Sequence, residues 1–146
     1  EERPMKKIII TIILSLLVTG LFAQILFGLE WGYSREKCAG LMANYGFFYD
    51  NYNKKEEIET YFNTDVHNVI VAVGLKYQKG KLDRVVCMLN TYDYDRFTIT
   101  FATLCTLMKY YDSFDYCDDT GYVWYYDKNL NIYLNRQDAY LLFYKP

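Results

Sequence analysis

The chain is predicted to be an α+β protein with two helices packed on one face of an antiparallel meander sheet. Three observations predict it. Apolar residues recur at helical spacing in two segments, they alternate with period two in the segments after each helix, and the separators between those segments are short polar turns. Short turns suffice only for antiparallel neighbours, and helices gathered on one face of such a sheet define the class.

The first twenty or so residues stand apart from this pattern. Met5-Lys6-Lys7 precedes an apolar run from Ile8 to Phe22, with Gly20 and Ala23 as small residues before Gln24. A cationic end, an apolar core and small residues at the cut make a secretory signal peptide. Residues 1–4 are therefore read as upstream residues, 5–23 as the signal peptide and 24–146 as one domain. The expected localisation is exported, periplasmic or extracellular, with membrane association only if the segment stays uncleaved; Thr19-Gly20 and Gln24 interrupt it as a spanning helix.

Residues 26–34 are a short extended lead-in. Ser34 is a good N-cap, Glu36 suits the first turn, and Cys38, Leu41, Met42 and Tyr45 share a face before Gly46, which predicts a helix from Arg35 to Tyr45. Tyr49 to Lys55 is polar and reads as a loop. Ile58, Thr60 and Phe62 then alternate in a first strand, and Val69, Val71, Val73, Leu75 and Tyr77 in a second. After Lys79-Gly80-Lys81, Leu82 to Leu89 forms a third.

A second helix is predicted from Thr98 to Tyr111, with Phe101, Leu104, Cys105 and Met108 on its inner face and Asp93 or Asp95 near its start. Tyr122 to Tyr126, Leu130 to Leu134 and Ala139 to Tyr144 close the chain as strands, separated by polar turns. Helix then three strands occurs twice, and a lag of 66 residues places Leu41 on Leu107, Met42 on Met108 and Tyr45 on Tyr111. A tandem α-β-β-β repeat is the architecture this suggests.

Three sets of short motifs carry a resemblance. The Phe22-Ala23-Gln24 end of the signal segment, Gly28-x-x-Trp31-Gly32-x-Ser34, and Trp124 followed by Ile132-x-Leu134 resemble small exported proteins of Gram-negative anaerobes. The predicted shape is similar to the tandem helix-plus-sheet modules of the β-lactamase inhibitory proteins, and more loosely to outer-membrane assembly lipoproteins. The resemblance implies a non-enzymatic binding module. The chain departs from the lipoprotein type in lacking an acylated cysteine, and no inhibitory loop can be matched residue by residue.

Composition narrows the chemistry. The net charge is −2, whereas nucleic-acid binders are usually basic; Lys76, Lys79, Lys81 and Arg84 gather around Gly80 and read as a solvated turn. His67 is the one histidine and no Cys-x-x-Cys occurs, which leaves no zinc site of the usual kinds. Asp112, Asp115, Asp118 and Asp119, with Asp127 further on, are a weak calcium candidate without the spacing of a helix-loop-helix site, and Asp118 to Gly121 reads equally as a turn. Cys38, Cys87, Cys105 and Cys117 permit three complete pairings, and a disulfide among them is open in an export compartment. No cofactor is expected.

Aromatic content is the positive signal, with 17 Tyr and 9 Phe. Tyr122, Trp124 and Tyr126 lie on one side of a predicted strand, and Tyr133, Tyr140 and Tyr144 recur on its neighbours. Sharing the face away from the helices, they would form an aromatic platform for a protein partner or a glycan; packed inward, they would be core. The reading is an exported non-enzymatic module that binds protein through this surface. The alternatives are a carbohydrate-binding or weakly hydrolytic module and a structural envelope component.

Overall fold

The computed structural model describes residues 25–65, 67–92, 94–108, 116–117, 121–127 and 129–146. Positions 105, 106, 108, 116–117 and 121–127 are described by backbone alone. Among the described residues a short 3-10 turn (Leu26–Gly28), where an extended lead-in was expected, precedes two α-helices, α1 (Arg35–Asn44) and α2 (Arg96–Met108), and eight strands. These are β1 (Phe47–Asn53), β2 (Ile58–Asn63), β3 (Ile70–Gln78), β4 (Lys81–Leu89), β5 (Tyr116–Cys117), β6 (Gly121–Asp127), β7 (Leu130–Asn135) and β8 (Tyr140–Tyr144). The fold class is the expected α+β.

The strands form one antiparallel sheet in the order β1-β2-β3-β4-β8-β7-β6-β5. Each half is a helix followed by a four-strand meander, one strand more than expected, and the halves join where β4 pairs with β8. Strand n of the first half thus occupies the place of strand n+4 in the second, reflected about the β4–β8 seam.

Local sequence explains the first half. The Ser34 side chain accepts a hydrogen bond from the Lys37 N–H at 3.2 Å, capping α1, and Gly46 ends it with φ 81°. Lys79 and Gly80, both left-handed at φ 52° and 74°, make the two-residue turn that suits the twist of a β3–β4 hairpin. The Gly32 N–H donates to the Leu82 carbonyl and the Leu82 N–H to that of Tyr33, so the lead-in docks on the same hairpin. Trp31 Nε1 donates to the Asn129 carbonyl at 2.8 Å and ties the lead-in to the second half.

The core lies between helices and sheet. Two rows cross the covered face: Tyr61, Val73, Cys87, Leu141 and Leu134, then Glu59, Leu75, Val85, Phe143 and Ile132, all in cross-strand register and all buried. Cys38 and Met42 from α1 and Ile99 and Leu107 from α2 join that cluster. Each fully buried Leu, Ile or Phe contributes about 1.5–3 kcal/mol, so this one interface supplies most of the cohesion.

Three expectations are corrected. Residues 49–53, expected as loop, belong to edge strand β1. On β2 it is Glu59 and Tyr61 that point inward, while Phe62 is exposed. The inner face of α2 is Ile99, Thr103 and Leu107, with Leu104 partly buried; Phe101 is 60% exposed. Thr100 and Thr103 tolerate burial because their hydroxyls donate to the Arg96 and Ile99 carbonyls at 2.6 and 2.7 Å. Cys38 and Cys87 are buried free thiols, which leaves the disulfide question to Cys105 and Cys117, whose side chains lie outside the described residues. Asp95 caps α2 by accepting from the Thr98 N–H at 2.8 Å, and Asp93 lies outside the described residues.

Candidate binding surface

The helices cover one face of the sheet, and the strand register defines what the other presents. One row runs Phe48, Phe62, Ala72, Met88, Tyr140 from β1 to β8. The next runs Asn51, Thr60, Gly74, Val86, Leu142, Tyr133. A third runs Asn53, Ile58, Lys76, Arg84, Tyr144, Asn131. Phe48, Phe62 and Met88 are 54%, 41% and 43% exposed, and the Phe48 and Phe62 rings lie 5.9 Å apart. Tyr133 and Tyr140 rings are 6.2 Å apart, and Asn135 Nδ2 donates weakly to the Tyr140 hydroxyl at 3.4 Å.

An antiparallel sheet with one wet face normally alternates apolar and polar along each strand. Here β4 reads Val85-Val86-Cys87-Met88-Leu89 without a polar residue, the pattern of a strand covered on both sides. That run is the sequence signal for Val86 and Met88, and Phe48 and Phe62 were legible only once the edge strand and the orientation of β2 were known.

Of the six aromatics singled out from sequence, three are described with their side chains. Tyr133, Tyr140 and Tyr144 stand in the open-face rows. Tyr122 and Trp124 pair in register with buried Leu134 and Ile132, positions of the covered-face rows; Tyr126 falls at the irregularity between Tyr125 and Asp127. The side chains of Tyr122, Trp124 and Tyr126 lie outside the described residues. Asp112, Asp115, Asp118 and Asp119 lie outside the described residues, and among the described residues no three metal-ligating side chains gather.

A second constellation sits on the covered side at the β1–β2 edge. Arg35 Nε and Nη2 donate to Glu59 Oε2 at 2.9 and 2.6 Å, and the Tyr61 hydroxyl donates to Glu59 Oε1. The Arg35 guanidinium also stacks 3.5 Å over the Tyr52 ring. Burial first, then the Glu59 carboxylate, holds the Tyr61 phenol well above its ordinary value. Burial does the same to Tyr77, reinforced by its neighbour Cys38, and raises the Cys38 thiol. Both carboxylate oxygens are engaged, so the constellation is a clamp between α1 and β2.

Elsewhere on the helix side, an apolar cavity of about 410 Å³ is lined by Ile25, Phe27, Tyr45, Val69, Thr103 and Leu107 among others. No helix among the described residues is long and apolar enough to cross a membrane.

Fold and surface together define an α+β protein with a two-halved sheet covered on one side. No protein family, curated protein or solved structure matches the chain.

Proposed function

We propose that this chain is an exported, non-enzymatic binding module that takes a protein partner on the open face of its sheet. The observation that carries the reading is the row Phe48, Phe62, Ala72, Met88 and Tyr140, apolar from the edge strand to the second half of the sheet and accessible at three of its five positions. Contiguous exposed apolar surface of this kind marks interaction sites, and aromatic and Met side chains are the ones enriched in the centres of interfaces. The tandem shape seen in the sequence resemblance points the same way. The Lys6-Lys7 end and apolar run before Gln24 support export, and N-terminal sequencing of the mature protein should start at Gln24.

Tyr133 and Tyr140, close together on this face, also suit stacking against a sugar ring, the second reading. The test for both is retention of a partner from the native envelope fraction, alongside a glycan array, for the native protein and for Phe62→Lys and Met88→Lys. A protein partner lost in both variants supports the proposal. Glycan retention with no protein partner favours the sugar reading, and blank results in both assays leave the structural envelope role.

A further inference from the structure

The open face holds a pair of like charges. Among its register positions on β1, β2, β3, β4, β7 and β8, only Lys76 and Arg84 are charged, and they stand directly opposite each other on adjacent strands. Like charges in that relation destabilise a sheet. Arg84 is offset in part by Asp83 at 3.8 Å, which sits where the register shifts between Lys76 and Tyr77. Lys76 has no carboxylate partner among the described residues. A further acid on this side, Asp50, lies at the opposite edge and accepts a hydrogen bond from the Thr60 hydroxyl at 3.1 Å. A basic pair is thus set into the uncovered face of a chain whose net charge is −2.

Beside the pair runs a trough. On β3 the open-face positions before Lys76 are Ala72 and Gly74, flanked by Phe62 and Thr60 on β2 and by Met88 and Val86 on β4. Nothing in the fold requires glycine at 74. Its backbone is not left-handed, and an added Cβ would meet only Val86 atoms at 4.0 Å, ordinary contact. Glycine inside a strand weakens it and often marks a close approach by another group.

We infer that this face accepts a protein partner presenting an acidic side chain next to an apolar one, the carboxylate going between Lys76 and Arg84 and the apolar group over Ala72 and Gly74. The inference rests on the protein-binding reading above and adds the chemistry of the partner. Two cations are too few for a nucleic-acid footprint or for a polybasic membrane patch, which takes about 4–8. They are enough to desolvate and hold one carboxylate, a charge-assisted contact of the stronger kind.

A library of random linear peptides displayed on phage, selected against the full chain, tests it, with the affinity of the leading peptide then measured on variants. Lys76→Glu is the key variant because it gives Arg84 an opposite-charge neighbour and so preserves the sheet; Gly74→Leu fills the trough. Selected peptides should carry Asp or Glu close to a Leu, Met or aromatic residue. Their binding should weaken about tenfold or more with Lys76→Glu and again with Gly74→Leu. Peptides that lose binding with Met88→Lys yet show no acidic preference and ignore Lys76→Glu overturn the inference and leave the protein-binding reading standing. Peptides indifferent to Met88→Lys, or none selected, overturn both, as does retention of acidic glycans in place of peptides.

Discussion

Replacing Arg35 by Met removes both hydrogen bonds to Glu59 and leaves the carboxylate with Tyr61 alone. Glu59 is 3% exposed, and stranding a buried charge by deleting its partner costs about 3–5 kcal/mol. The Arg35 side chain is itself 41% exposed, so water follows the lost guanidinium and the figure falls to about 2 kcal/mol. The reverse change, Glu59→Gln, strands only an accessible guanidinium and should cost roughly 1 kcal/mol less than Arg35→Met, an asymmetry that follows from the unequal burial of the two partners. The double variant should be less destabilised than the sum of the singles by about 1 kcal/mol or more. Urea unfolding followed by far-UV circular dichroism measures all three. An Arg35→Met loss below about 0.5 kcal/mol, or strict additivity in the double variant, would show that the clamp contributes nothing as a unit.

The one-sidedness of the sheet predicts unequal costs for two phenylalanines: Phe143→Ala, in the covered face and fully buried, should cost about 3–5 kcal/mol. Phe62→Ala, on the open face, should stay near 1 kcal/mol or below, and equal losses in chemical denaturation would mean that both faces are covered in the monomer. Lys76→Glu should raise the free energy of unfolding by about 0.2–1 kcal/mol, while weakening binding; a stability loss would place the two side chains apart. Burial pushes the Cys87 thiol from 9.0 up to about 12. The folded state therefore keeps a proton that the unfolded chain releases, and stability present below pH 9.0 falls as pH rises towards about 12. Cys38, Tyr61 and Tyr77, also raised, add to the fall, and Cys87→Ala should flatten the slope in equilibrium unfolding between those limits. A slope unchanged by that substitution contradicts the burial argument.

Much of the fold was legible because it is local. The Ser34 cap, the Cys38 and Met42 spacing and the Gly46 stop specify α1, and the Val73-Leu75-Tyr77 alternation and the Lys79-Gly80 turn specify the β3–β4 hairpin, with no help from distant residues. Where local pattern and burial part company, sequence reasoning went astray. Glu59 looks like an outward residue until Arg35, 24 positions earlier, is seen beside it. Thr100 and Thr103 look polar until their hydroxyls are satisfied within their own helix, and Phe101 looks like core until the helix is rotated to put the threonines inward. Strand β1 escaped because Tyr49-Asp50-Asn51 breaks its alternation at a bulge.

The sequence by itself determined the class of fold, the order of the two helices and of six of the strands, and the aromatic and apolar excess that a surface would have to display. Tertiary structure alone decided which strands meet at the centre. The β4–β8 pairing joins residues more than fifty positions apart, and such a pairing leaves no local periodicity because its register is set by contacts with residues distant in the chain. That seam carries the Phe48–Phe62–Ala72–Met88 row on to Tyr140 and puts Tyr144 beside Arg84, so the candidate surface belongs to neither half alone.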